Sequence, residues 1–154
     1  MKNKLLFEPY EKVGDLSFGM SRENVTNICG EIIFSCMYGF PVEDRFLDDY
    51  GEIHTLCNNQ GLLEAIEIFP DMTTEPYSLI YHEKEIILCI DVDLLVSQIR
   101  KITDDLILDG NKEGYSSAKL GLKIYCPEDI VEDVLLHDRY CYEEEQEYMK
   151  ENNL

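Results

Sequence analysis

Tryptophan is absent from this sequence, and basic residues are scarce: 13 Lys and Arg stand against 32 Asp and Glu, a net charge of −19. That shortage excludes the basic footprint a nucleic-acid binder needs to displace counterions from phosphate. It also opposes binding to an anionic membrane surface. Long apolar runs are missing as well; no segment approaches the roughly 18 residues of a spanning helix. Near the start, only Leu5-Leu6-Phe7 run consecutively before Glu8. A secretory signal needs an apolar centre of about 7–15 residues. The cysteines at 29, 36, 57, 89, 126 and 141 are therefore expected to be reduced and mostly buried in a cytoplasmic protein. Neither a phosphate-binding glycine loop nor a dinucleotide fingerprint occurs.

What is present suffices for a core. The chain is 45% hydrophobic, with ten Tyr and six Phe, which excludes a disordered composition. Residues 21–30 read as a helix with Ser21 as N-cap and Gly30 as terminator; Met20, Val25, Ile28 and Cys29 form its apolar stripe. Segments 51–57 and 62–69 read as a hairpin around the turn Asn58-Asn59-Gln60-Gly61. A linker at 70–76 leads to a second hairpin over 77–90. Asp91 then caps a helix with Leu94, Leu95, Ile99 and Ile102 as its stripe, followed by strands at 121–126 and 130–136.

The two halves overlay. A shift of 70 residues sets Ser21 on Asp91, Val25 on Leu95, Cys29 on Ile99 and Gly51 on Gly121; a shift of 68 then sets Leu63–Ile66 on Val131–Val134. The predicted fold class is α+β, two tandem helix-plus-antiparallel-strand units with helices packed on one face of the sheet. Its divisions are a first repeat with N-terminal lead at 1–70, a linker and hairpin at 71–90, a second repeat at 91–137 and an acidic tail at 138–154, read as a solvated helix or frayed end.

The run Phe18-Gly19-Met20-Ser21-Arg22-Glu23-Asn24-Val25 resembles the helix start of small bacterial domains of the beta-lactamase-inhibitor-protein and outer-membrane-assembly lipoprotein type. The hairpin ending Glu64-Ala65-Ile66-Glu67-Ile68-Phe69 is similar to that of small cytosolic immunity proteins from toxin–immunity loci. The resemblance implies short helices on an antiparallel sheet, sometimes in tandem, and the binding of other proteins.

Catalytic and metal signals are weak. His54 and Cys57 have a zinc-like spacing, but residues three apart on a strand point to opposite faces, and no second pair stands at ligand spacing. Glu43, Asp44, Asp48 and Asp49 lack the alternating ligands and central glycine of a calcium loop. No local signature selects a Cys/His pair for a hydrolase, so the chain is read as a non-enzyme without cofactor or metal. The acid-and-aromatic segments carry the binding expectation. Glu43, Asp44, Asp48, Asp49 and Tyr50, with Tyr140, Tyr142, Glu143, Glu144 and Glu145, would meet Lys and Arg on a basic protein partner. A toxin nuclease is such a partner, since it must hold phosphate. The functional expectation is an immunity protein that occludes its toxin. An adaptor without a toxin, or a hydrolase with an unrecognised Cys/His site, are the alternatives.

Overall fold

The computed structural model describes residues 3–152. Residues 1–2 of the N-terminal lead and 153–154 of the acidic tail lie outside the described residues. The chain opens with β1 (Lys4–Glu8), β2 (Lys12–Val13) and β3 (Leu16–Ser17), then α1 (Arg22–Cys29). Four strands follow: β4 (Phe34–Tyr38), β5 (Arg45–Asp49), β6 (Ile53–Cys57) and β7 (Leu63–Ile68). The second half runs β8 (Ser78–Tyr81), β9 (Lys84–Ile87) and α2 (Val92–Arg100). It ends with β10 (Ile107–Leu108), β11 (Gly114–Ser117), β12 (Leu122–Tyr125), β13 (Asp133–His137) and α3 (Arg139–Glu151). The fold class is α+β, with two mostly antiparallel sheets.

Local chemistry sets the helix starts. Ser21 Oγ accepts from the Asn24 N–H at 3.2 Å and Asp91 Oδ1 from the Leu94 N–H at 3.1 Å, satisfying donors that a helix leaves open. Burial then selects faces. Val25 is enclosed in α1, and Leu95, Val96 and Ile99 in α2. Ile28 and Leu94, expected on the apolar stripes, are exposed, and Val96 takes the core position instead.

The larger sheet has the order β10-β11-β12-β13-β7-β6-β5-β4. Each half supplies a four-strand meander, and β13 and β7 meet antiparallel at the centre, with Leu135 opposite Glu67 and Leu136 opposite Ile66. The N-caps of α1 and α2 each bridge to the segment leading into the last strand of a meander: Ser21 to Leu62 and Asp91 to Ile130. The neighbouring bonds also correspond, Leu63 N–H to Met20 O at 2.8 Å and Val131 N–H to Ile90 O at 2.9 Å. At the central seam, burial, then a hydrogen bond with Asp133 and that carboxylate's charge, push Glu67 up to about 8.

The smaller sheet, β3-β2-β1-β8-β9, contains the hairpin read over 77–90. Its β8 runs parallel to β1, with Leu5 beside Leu79. Sequence reading missed β1 because three apolar residues between Lys4 and Glu8 are too few for a strand period to register. The stretch read as a linker starts with a short 3-10 turn at Pro70–Met72, with Pro70 buried. Phe7, Val13, Leu79 and Ile86 share one core with Ile66, Ile68, Leu122, Ile124 and Leu136 of the larger sheet.

The tail departs from expectation. α3 is a docked helix, capped by Asp138 Oδ1 accepting from the Cys141 N–H at 2.7 Å. It touches Arg45, Lys123 and His137, which alternate along their strands with the core-facing Phe46, Ile124 and Leu136. Thus α3 covers the sheet face opposite to α1 and α2, and the expectation of all helices on one face fails for it. Among the described residues no helix is long and apolar enough to cross a membrane. The six cysteines are free; Cys57 and Cys126 are buried, Cys29, Cys89 and Cys141 half-buried, and Cys36 exposed, so fewer are enclosed than composition suggested.

Candidate protein-interaction surface

The site grows from one irregularity. Across β6 and β7, Leu56 pairs with Ala65 but Cys57 pairs with Leu63, so Glu64 is an extra residue with no partner strand position. Such a bulge re-aims a side chain, and here it turns a carboxylate that is 1% exposed toward α3. Arg45 meets it from β5, with Nη1 donating to Glu64 Oε1 at 2.8 Å. The Tyr38 hydroxyl donates to the same oxygen at 2.9 Å. The other end of the guanidinium reaches α3, Nη2 donating to both oxygens of Glu144 at 2.7 Å. Burial and the adjacent Glu64 push the Tyr38 phenol and the Cys141 thiol up. Glu64 Oε2 is buried without a hydrogen-bond partner among the described residues.

Arg45 thereby joins the two acid-and-aromatic segments found by sequence. Glu43 is exposed. Asp44 is half-exposed and accepts from Asn59 Nδ2 at 3.3 Å. Tyr140 is 60% exposed, and with Asp44, Arg45, Asn58, Asn59 and Gln60 it lines a shallow cavity of about 350 Å³. Glu143 is exposed beside Glu144, which Arg45 holds.

The remaining residues are engaged within the fold. Asp48 is a correction: it is 1% exposed, bound by Arg22 Nε at 2.9 Å, Arg22 Nη2 at 2.7 Å and Ser35 Oγ at 2.6 Å. Burial works to raise its pKa, but the Arg22 and Ser35 hydrogen bonds outweigh that and hold the carboxyl below its ordinary value. A side chain so enclosed cannot meet a partner. Asp49 accepts from the Gly51 N–H at 2.7 Å and stands 3.3 Å from His54 Nε2. The Tyr50 hydroxyl is 2.8 Å from Thr26 Oγ1. Tyr142 stacks on His137 and packs edge-on against Tyr10. Glu145 is ion-paired to Lys123.

No known protein family, no curated protein and no solved structure matches this chain. The chemistry of the surface therefore rests on its own residues. His54 packs at a tilt against Phe69, with ring centroids 4.4 Å apart, while Cys57 lies in the core, which keeps the zinc-like pair apart. Among the described residues no group of three or more His, Cys, Asp and Glu is arranged to hold a metal ion. Burial pushes the Cys57 thiol up to about 12 and that of Cys29 to about 11, holding back the thiolate form that attacks substrates. The half-exposed Asp44 shares its cavity with Tyr140, and the exposed acids Glu43 and Glu143 stand in the same two segments. Sequence reasoning missed Arg45, Glu64 and Tyr38. Their signal was a lone Arg in an acidic run and a Glu inside an apolar strand.

Proposed function

We propose that this chain is a cytoplasmic protein-binding protein, an immunity protein that neutralises a basic cognate toxin by occluding its active site. One observation carries the reading: Arg45 clasps Glu64 and Glu144, and so draws segments 43–45 and 140–144 into one rim on a chain of charge −19. Such a rim matches a phosphate-binding surface in charge, as a nucleic-acid backbone does. Opposed fields of this size speed encounter, and a Tyr anchor adds contact area at small entropic cost. The same proposal reads the fold as two tandem helix-plus-meander units, with α1 and α2 on the shared face. The corresponding caps, bridges and meanders of the two halves support it.

The test is capture of partners by the tagged chain from cells of its native host, with each captured protein expressed alone to score toxicity. The expected result is a basic protein that is toxic alone, harmless when co-expressed with this chain, and released as salt rises. The triple variant Glu43→Lys, Asp44→Lys and Glu143→Lys should lose protection while remaining folded. A partner that is acidic, non-toxic or held equally well at high salt would sink the proposal.

A further inference from the structure

The two sheets end in four outer strands, and three of them are closed to further pairing. β3 and β10 are two residues long. β9 carries Lys84 and Glu85, and the Gln98 side chain binds both the Ile87 N–H at 2.8 Å and the Ile87 carbonyl at 2.9 Å. Short edges, charges and covering groups are the devices by which sheets refuse foreign strands. β4 has none of them. It is five residues long, pairs only with β5 among the described residues, and lies in a stretch, 32–42, without a charged side chain. Ile33 is 69% exposed and Phe40 83%, and Phe34, Met37 and Val42 also face water. Phe34 and Met37 fall on opposite faces of the strand, so the apolar surface wraps the open edge.

We infer that β4 is a docking edge that accepts a β-strand from a basic protein, extending the eight-stranded sheet by one strand. This rests on the basic partner proposed above and adds the manner of docking. Main-chain hydrogen bonds along β4 supply affinity, and Phe34, Met37 and Phe40 supply contacts to alternate side chains of the incoming strand. Charge selects the occupant. The edge is bounded by Glu31 on one side and Glu43 and Asp44 on the other. A second copy, in either strand direction, sets acid against acid at both ends, which is unfavourable across a strand pair. A strand with Lys or Arg at its ends matches both. The edge also runs into the acidic rim, because Tyr38 of β4 and Arg45 of β5 share Glu64.

The test uses the isotope-labelled full chain and three synthetic peptides. The first is Lys-Lys-Val-Thr-Val-Thr-Val-Lys-Lys; the second replaces its lysines by glutamates; the third is the lysine form with its central Val replaced by Pro. Amide exchange and chemical shifts are followed up to about 1 mM peptide, enough to see a weak complex. The lysine peptide should slow exchange about tenfold at amides within 34–38, and the other two should not. No response at β4, an equal response to the glutamate peptide, or β4 already protected in a concentration-dependent dimer would each overturn the inference. The peptides need no toxin, so the two readings fail separately. Docking of the lysine peptide with no toxin captured leaves the edge standing and removes the immunity reading. Toxin capture unaffected by Phe34→Ser with Met37→Ser, and no peptide response, does the reverse.

Discussion

Arg45 is the residue on which the surface depends. It is the cation for a carboxylate that is 1% exposed, and it links that carboxylate to α3. Removing one partner of an enclosed ion pair leaves an uncompensated charge, so Arg45→Ala should cost about 3 kcal/mol in urea unfolding. Adding Glu64→Gln to it should recover part of that loss, because the stranded charge is then gone; a double-mutant cycle reads the coupling. Asp48 gives a second test with a defined sign. Its carboxyl titrates below the ordinary 3.8, so its contribution to stability is present above that pH and lost as acid reaches the lower native value. Asp48→Asn should therefore destabilise at neutral pH and matter little in acid below the lowered native value, as thermal unfolding across pH would show. The sequence carried a sign of the Arg45 site. Glu64 and Glu67 stand three apart in one strand, so a regular strand would send them to opposite faces, one of them the core. A bulge resolves that conflict. Its cation could not be read, because the Arg45–Glu64 pair is a product of register across two strands. Asp48 looked like its neighbours in an acidic run, and only the proximity of Arg22 and Ser35 sets it apart.

Among the elements, the meeting of β7 and β13 has its own titration. Glu67 has a folded value of about 8 against an ordinary 4.5. The native state thus holds a proton that the unfolded chain releases, and stability falls as pH rises from about 4.5 to about 8. Glu67→Gln should remove that slope and stabilise the protein at pH 8 by about 1–3 kcal/mol, with little change at pH 4. Chemical denaturation at the two pH values checks it. The elements legible in the sequence were those with local chemistry: capped helices at 22–29 and 92–100, the turn at 58–61, and the strands around it. Two-residue strands such as β2 and β3 have too little length for periodicity to register. α3 was read only from its charge, since Glu143 to Glu147 conceal the contacts that Glu144 and Glu145 make with Arg45 and Lys123 of distant strands.

For the whole molecule, net charge is the dominant property. Self-repulsion at −19 opposes compaction, and salt relieves it. The melting temperature should therefore rise by several degrees between about 10 mM and 500 mM NaCl, as the screening length shrinks. Binding to a basic partner should weaken over the same range, so stability and affinity move in opposite directions with ionic strength. Association rates by stopped flow and melting by calorimetry would read the two trends side by side.

The central pairing of β7 with β13 has a consequence for the growing chain. Leu63–Ile68 emerge early, but the strand that covers their outer edge ends only at His137. At a synthesis rate of about 5–20 residues per second, that edge stays bare for about 3–14 seconds on the ribosome. During this interval the first half presents Ile66 and Ile68 with no second half to enclose them. The finished protein hides this strand at its centre, but the nascent one must carry it at its margin until His137 has been made.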